Sequence, residues 1–162
     1  MKRLLLSLLF FLIPATAFAV PTKPEQFEKL ENELSMECQK YGEESCAARF
    51  ISMAACTYVF AVNQGKHPDK AMDIADKLFV GIMKGNKIKP EIMFTKERNI
   101  KPIIANEVSQ RTALCKEATE KAVPKLFKAR GMEEPSPEIV KRLTESFGYW
   151  WISTIETIYK KG

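Results

Sequence analysis

Apolar and polar positions recur at helical spacing through almost all of the chain beyond residue 20. Phe27, Leu30, Leu34, Cys38 and Tyr41 follow three- and four-residue steps behind Pro24 and predict a helix over residues 24–41, stopped by Gly42. A second helix is predicted from Glu44 to Gln64, closed by Gly65. One of its faces carries Cys46, Phe50, Met53, Cys56 and Phe60, and the others carry Ala47, Ile51, Ala54, Ala55 and Val59. Apolar residues on every side mark a helix buried in the centre of a protein. Pro68 opens a third, which runs through Ala71, Ile74, Ala75, Leu78, Phe79, Ile82 and Met83 to Gly85.

Residues 86–101 interrupt the pattern and predict a loop with one helical turn after Pro90. A fourth helix starts at Pro102 with the stripe Ile104, Val108, Cys115, Ala122 and Leu126, and Pro124 is expected to kink or split it before Gly131. The last helix has Ser136 as cap, Pro137 at its first position, Glu138 in its first turn and Lys160 and Lys161 in its last. Its expected core face is Ile139, Leu143, Phe147, Trp150, Thr154 and Ile158, widened by Val140, Trp151 and Ile155. No stretch alternates as a strand does, and no repeat is visible. The predicted fold is an all-α, single-domain bundle of about five helices.

The first 19 residues obey a different rule. Lys2 and Arg3 precede the apolar run Leu4 to Ile13, then Pro14 and the small-residue site Ala17-Phe18-Ala19, the order of a secretory leader cleaved after Ala19. The expected mature domain is residues 20–162, periplasmic or otherwise secreted. Removing Lys2 and Arg3 leaves 23 basic against 20 acidic residues, a net charge of +3 in place of +5. So small an excess does not suit nucleic-acid binding. The apolar stretch from Cys46 to Val62 is shorter than the ~20 residues of a membrane span and includes Arg49, so no transmembrane segment is expected in the mature chain.

An exported domain changes the reading of the four cysteines, Cys38, Cys46, Cys56 and Cys115, towards disulfides. Ten residues of helix separate Cys46 from Cys56 by about 15 Å, too far for a bridge, whose Cα atoms lie within ~7 Å. A turn at Gly42 puts Cys38 and Cys46 at similar heights on antiparallel helices, so the expected pairs are Cys38–Cys46 and Cys56–Cys115. No Cys-x-x-Cys occurs and His67 is the single histidine, so neither a metal nor a cofactor is expected.

Catalytic motifs are missing from the sequence as well. There is no phosphate-binding glycine loop, no Gly-x-Ser-x-Gly and no His-Glu-x-x-His, and the paired carboxylates Glu31/Glu33, Glu43/Glu44 and Glu133/Glu134 have no marked partners. Two surface features stand out. Lys84, Lys87, Lys89, Lys96, Arg98 and Lys101 crowd the 86–101 loop, and Lys121, Lys125 and Lys128 are expected to extend that basic face towards Arg130. The second is the run Phe147, Tyr149, Trp150 and Trp151, expected to wedge between neighbours with both tryptophans buried.

The expected function is a non-enzymatic protein-binding module of the inhibitor, immunity or envelope-chaperone type. Its binding residues would be Lys87, Lys89, Lys96, Arg98 and Lys101, and its partner an acidic protein or envelope component. The alternative is a carrier enclosing an apolar ligand among Met53, Phe60, Phe79, Phe147 and Trp150; a third is a cell-wall or lipid hydrolase built on carboxylates or His67.

Overall fold

A computed structural model describes residues 40, 42–85 and 88–160. The leader, the 24–41 helix, Cys38 and Lys87 lie outside the described residues. The helices are α1 (Glu43–Asn63), α2 (Pro68–Gly85), α3 (Pro90–Met93), α4 (Pro102–Thr112), α5 (Lys116–Ala129), α6 (Pro137–Glu145) and α7 (Phe147–Lys160), with a 3-10 turn, Ala113–Cys115, between α4 and α5.

α1 is the axis of an all-α bundle, and α2, α4, α5, α3 and α7 all pack on it. Its small residues let neighbours approach closely: Ala47, Ala48, Ala54, Ala55 and Ala61 are fully buried between Phe50, Ile51, Tyr58 and Val59. By length and composition α1 could cross a membrane, yet 72% of its most apolar window is buried inside the protein, the condition of a core helix.

Gly65 (φ 84°) closes α1 as expected: its N–H reaches the Val62 carbonyl and that of Lys66 reaches Ala61. Gly131 (φ 66°) closes α5 in the same way against Lys128 and Phe127. Both are left-handed caps that glycine adopts without strain. α2 spans its expected residues, burying Ala71, Ala75, Leu78 and Phe79.

Cys56 and Cys115 are bridged, with Cα atoms 5.7 Å apart and a sequence separation of 59. The bridge ties the middle of α1 to the joint between α4 and α5. Cys46 is also disulfide-bonded; its expected partner, Cys38, is outside the described residues.

Two expectations about helix continuity fail. Pro124 sits inside α5 without ending it, and the break falls ten residues earlier, at Ala113–Cys115. There the Thr112 hydroxyl donates to the Ser109 carbonyl and Cys115 is held to α1. Pro124 and Glu120 line an open cleft, where solvent can reach the carbonyl whose partner the proline removes. The last helix is also divided, at Ser146, whose hydroxyl donates to the Arg142 carbonyl at 2.9 Å. Just beyond, Gly148 lies so close to α4 that a Cβ there would stand 2.6 Å from Thr112 Oγ1 and 2.8 Å from Ser109 Cα.

α7 packs on α4 there. Its buried face is Phe147, Trp151, Ile152 and Ile155, while Ile139, Leu143, Trp150 and Ile158 of the expected core face remain substantially exposed. The two tryptophans therefore part company: Trp151 enters the core and Trp150 lies over Tyr58 and Phe147, with ring centroids 5.8 Å from each.

Candidate functional site

The 86–101 segment is more ordered than a loop. After α3, Phe94 and Ile100 form an antiparallel bridge, the Thr95 N–H donates to the Asn99 carbonyl at 2.8 Å, and the Arg98 N–H donates to Thr95 at 3.0 Å. Met93, Phe94 and Ile100 are buried, and the Ile100 N–H donates to Glu156 of α7. Anchored at both ends, this small hairpin lifts Lys96, Glu97, Arg98 and Asn99 into solvent. Arg98 has φ 59°, a left-handed conformation unusual for a side chain of its size. Between the two cations, the Glu97 carboxyl is held below its ordinary range by the Thr95 hydroxyl and then by its own backbone N–H.

The expected basic surface divides on this scaffold. Lys96 and Arg98 share the hairpin tip, and Lys89 is exposed at the start of α3. Lys101 does not join them: its Nζ donates to Glu44 at 2.9 Å, fastening the hairpin's exit to the first turn of α1. Lys121, Lys125 and Lys128 lie near the other end of α1, roughly 30 Å away along a 21-residue helix. Lys125 donates to the Asn63 carbonyl, completing the C-terminus of α1, and Lys121 pairs with Glu117, which lowers that carboxyl's pKa first through the hydrogen bond and then through charge.

A cleft of about 480 Å³ adjoins the hairpin, between the first turn of α1, Ile92 of α3 and Ile103, Ile104 and Glu107 of α4. On its wall, Glu107 Oε1 accepts from Ser45 Oγ and from Arg111 Nε, each at 2.8 Å. Ile92, Ile103 and Ile104 line it together with Glu43, Glu44, Lys101 and Glu107. None of Met53, Phe60, Phe79, Phe147 or Trp150, expected to enclose a carried ligand, lines this cleft. Nothing in the spacing of Ser45, Lys101 and Glu107 announced this cleft, because their partners are 57 to 62 residues away in sequence.

His67 is exposed before α2, with Nδ1 3.4 Å from the Asp69 carboxylate. Tyr58 titrates above its ordinary range, chiefly because it is buried, against the opposing pull of Arg130. Among the described residues no three His, Cys, Asp or Glu side chains are grouped to hold a metal ion. Comparison with family models, curated proteins and solved structures found no match to this chain.

Proposed function

We propose that the protein is an exported, non-enzymatic binding module that meets an acidic partner through the hairpin tip, with Lys89, Lys96 and Arg98 as its contact cations. The observation carrying this reading is the tip itself: exposed cations on a loop braced by a β-bridge and a strained Arg98, so that little ordering entropy remains to be lost on contact. In this reading the domain works in an oxidising compartment, stapled by Cys38–Cys46 as well as Cys56–Cys115. The leader-like first 19 residues and the Cys56–Cys115 bridge support it.

Charge reversal tests it. Lys89→Glu and Lys96→Glu combined with Arg98→Asn, which tolerates the left-handed conformation, leaves folding nearly intact because exposed charges contribute little to stability. The association rate with polyglutamate peptides and with acidic envelope proteins should fall about tenfold at low salt and converge with the parent at high salt. An unchanged rate and salt dependence would refute the proposal. The cleft favours a second reading, a small ligand with an apolar body seated on Ile92 and Ile103, which Ile103→Trp at that exposed position would block without altering the tip.

A further inference from the structure

The outward face of α7 differs from the charged helix faces of this protein. α2 turns Asp69, Lys70, Asp73, Asp76 and Lys77 to solvent, whereas from Phe147 to Ile158 the one charged residue is Glu156, occupied by the Ile100 N–H. What α7 exposes is Tyr149 (61%), Trp150 (42%), Ser153, Thr157 and Ile158 (45%), and α6 continues the stripe with Leu143 and Ile139, each 37% exposed, flanked by its exposed Glu138, Lys141, Arg142 and Glu145. Across the break at Ser146 part of the helical ladder continues, since the Ser146 N–H bonds Arg142 and the Trp150 N–H bonds Ser146.

Along this face Ile139, Leu143, Ser146, Trp150, Ser153 and Thr157 follow steps of four, three, four, three and four residues. That is the heptad spacing of a helix-pairing seam. Two hydroxyls on it are turned inward to their own helix: Ser146 donates to Arg142 and Thr157 to Ser153. Covering the seam would therefore strand neither of these donors.

We propose that a second copy of the chain packs on this seam, antiparallel, about an axis near residue 148. The sizes are self-complementary in that register: Ile139 faces Thr157 of the copy, Leu143 faces Ser153, and Trp150 faces Ser146. Each large side chain meets a small one, as knobs-into-holes packing needs, whereas a parallel pair would set Trp150 against itself. A two-fold interface brings a surface against its own image, so a charged seam would repel itself and an uncharged one does not. The seam from Ile139 to Thr157 is about 27 Å long and one helix wide, which places the dimer in the small, reversible class of interfaces.

Sedimentation equilibrium over roughly a thousandfold range of concentration tests this on the whole mature chain. The parent should pass from monomer to dimer. Leu143→Lys and Ser153→Glu, both at exposed positions, should each weaken the dimer more than tenfold with helicity and melting unchanged. Combined, they set opposite charges face to face in the antiparallel register and should recover it. A parent that stays monomeric, single variants that dimerise normally, or a double variant that fails to recover would each overturn the proposal. So would Trp150 fluorescence showing insertion of a monomer into anionic vesicles.

Discussion

The segments 102–129 and 137–160 both carry one long helical pattern, and both fold as two helices, yet they break for different reasons. In the first, the chain passes through Pro124 as helix and yields at Ala113–Cys115, where a disulfide and the Thr112 hydroxyl act together. In the second it yields at Ser146, without proline or an adjacent covalent tie. The two breaks meet in space, because Gly148 just after one rests on Ser109 and Thr112 just before the other. Both breaks therefore lie at the crossing of α4 and α7. The residue with the strongest local breaking tendency, Pro124, sits away from that crossing and bends nothing sharply enough to end α5.

Removing the covalent tie should have the largest effect on this comparison. Cys56→Ser with Cys115→Ser should lower stability by about 4 kcal/mol on the loop-entropy account, read by denaturant unfolding, while the helical circular dichroism signal rises if the bridge enforces the 3-10 turn. An unchanged signal would assign the turn to Thr112.

Gly148→Ala comes next. The new methyl meets backbone, so α7 must move from α4 at a cost of about 1–3 kcal/mol, and Trp151 emission should shift to the red as its burial loosens. A neutral result would mean that the crossing does not position the break. Pro124→Ala should stabilise α5, by about 1 kcal/mol, with no change in its ends; destabilisation would give the proline a packing role. The smallest effect belongs to Ser146→Ala, which removes a back-bonded hydroxyl and should change stability by less than about 1 kcal/mol while straightening the joint. Tyr149-to-Arg142 amide exchange would detect that straightening.

The first half of the described chain was largely legible. α1 and α2 end where Gly65, Pro68 and Gly85 place them, since caps and prolines act within one turn of backbone. The Cys56–Cys115 pair was also legible, because the rise of a helix excludes Cys46–Cys56 and leaves few choices. The candidate site was half legible. Lys96 and Arg98 are together at one tip, but Lys101 is withdrawn to Glu44 and the α5 lysines lie at the far end of α1. Charge counted along a chain does not know which carboxylate the fold will bring beside it.

The sequence by itself determined an all-α chain, the caps of its helices and one long-range bridge, for these follow from local backbone preferences and distances along a helix. The tertiary structure decided which side of α7 is core, because the contact of Gly148 with α4 selects Trp151 for burial and leaves Trp150 over Tyr58. It also decided the hairpin at Arg98, which requires Phe94, Ile100 and Glu156 to be held together across 56 residues of sequence. Periodicity reports that a helix has an apolar side; only the neighbours it meets determine how much of that side is covered.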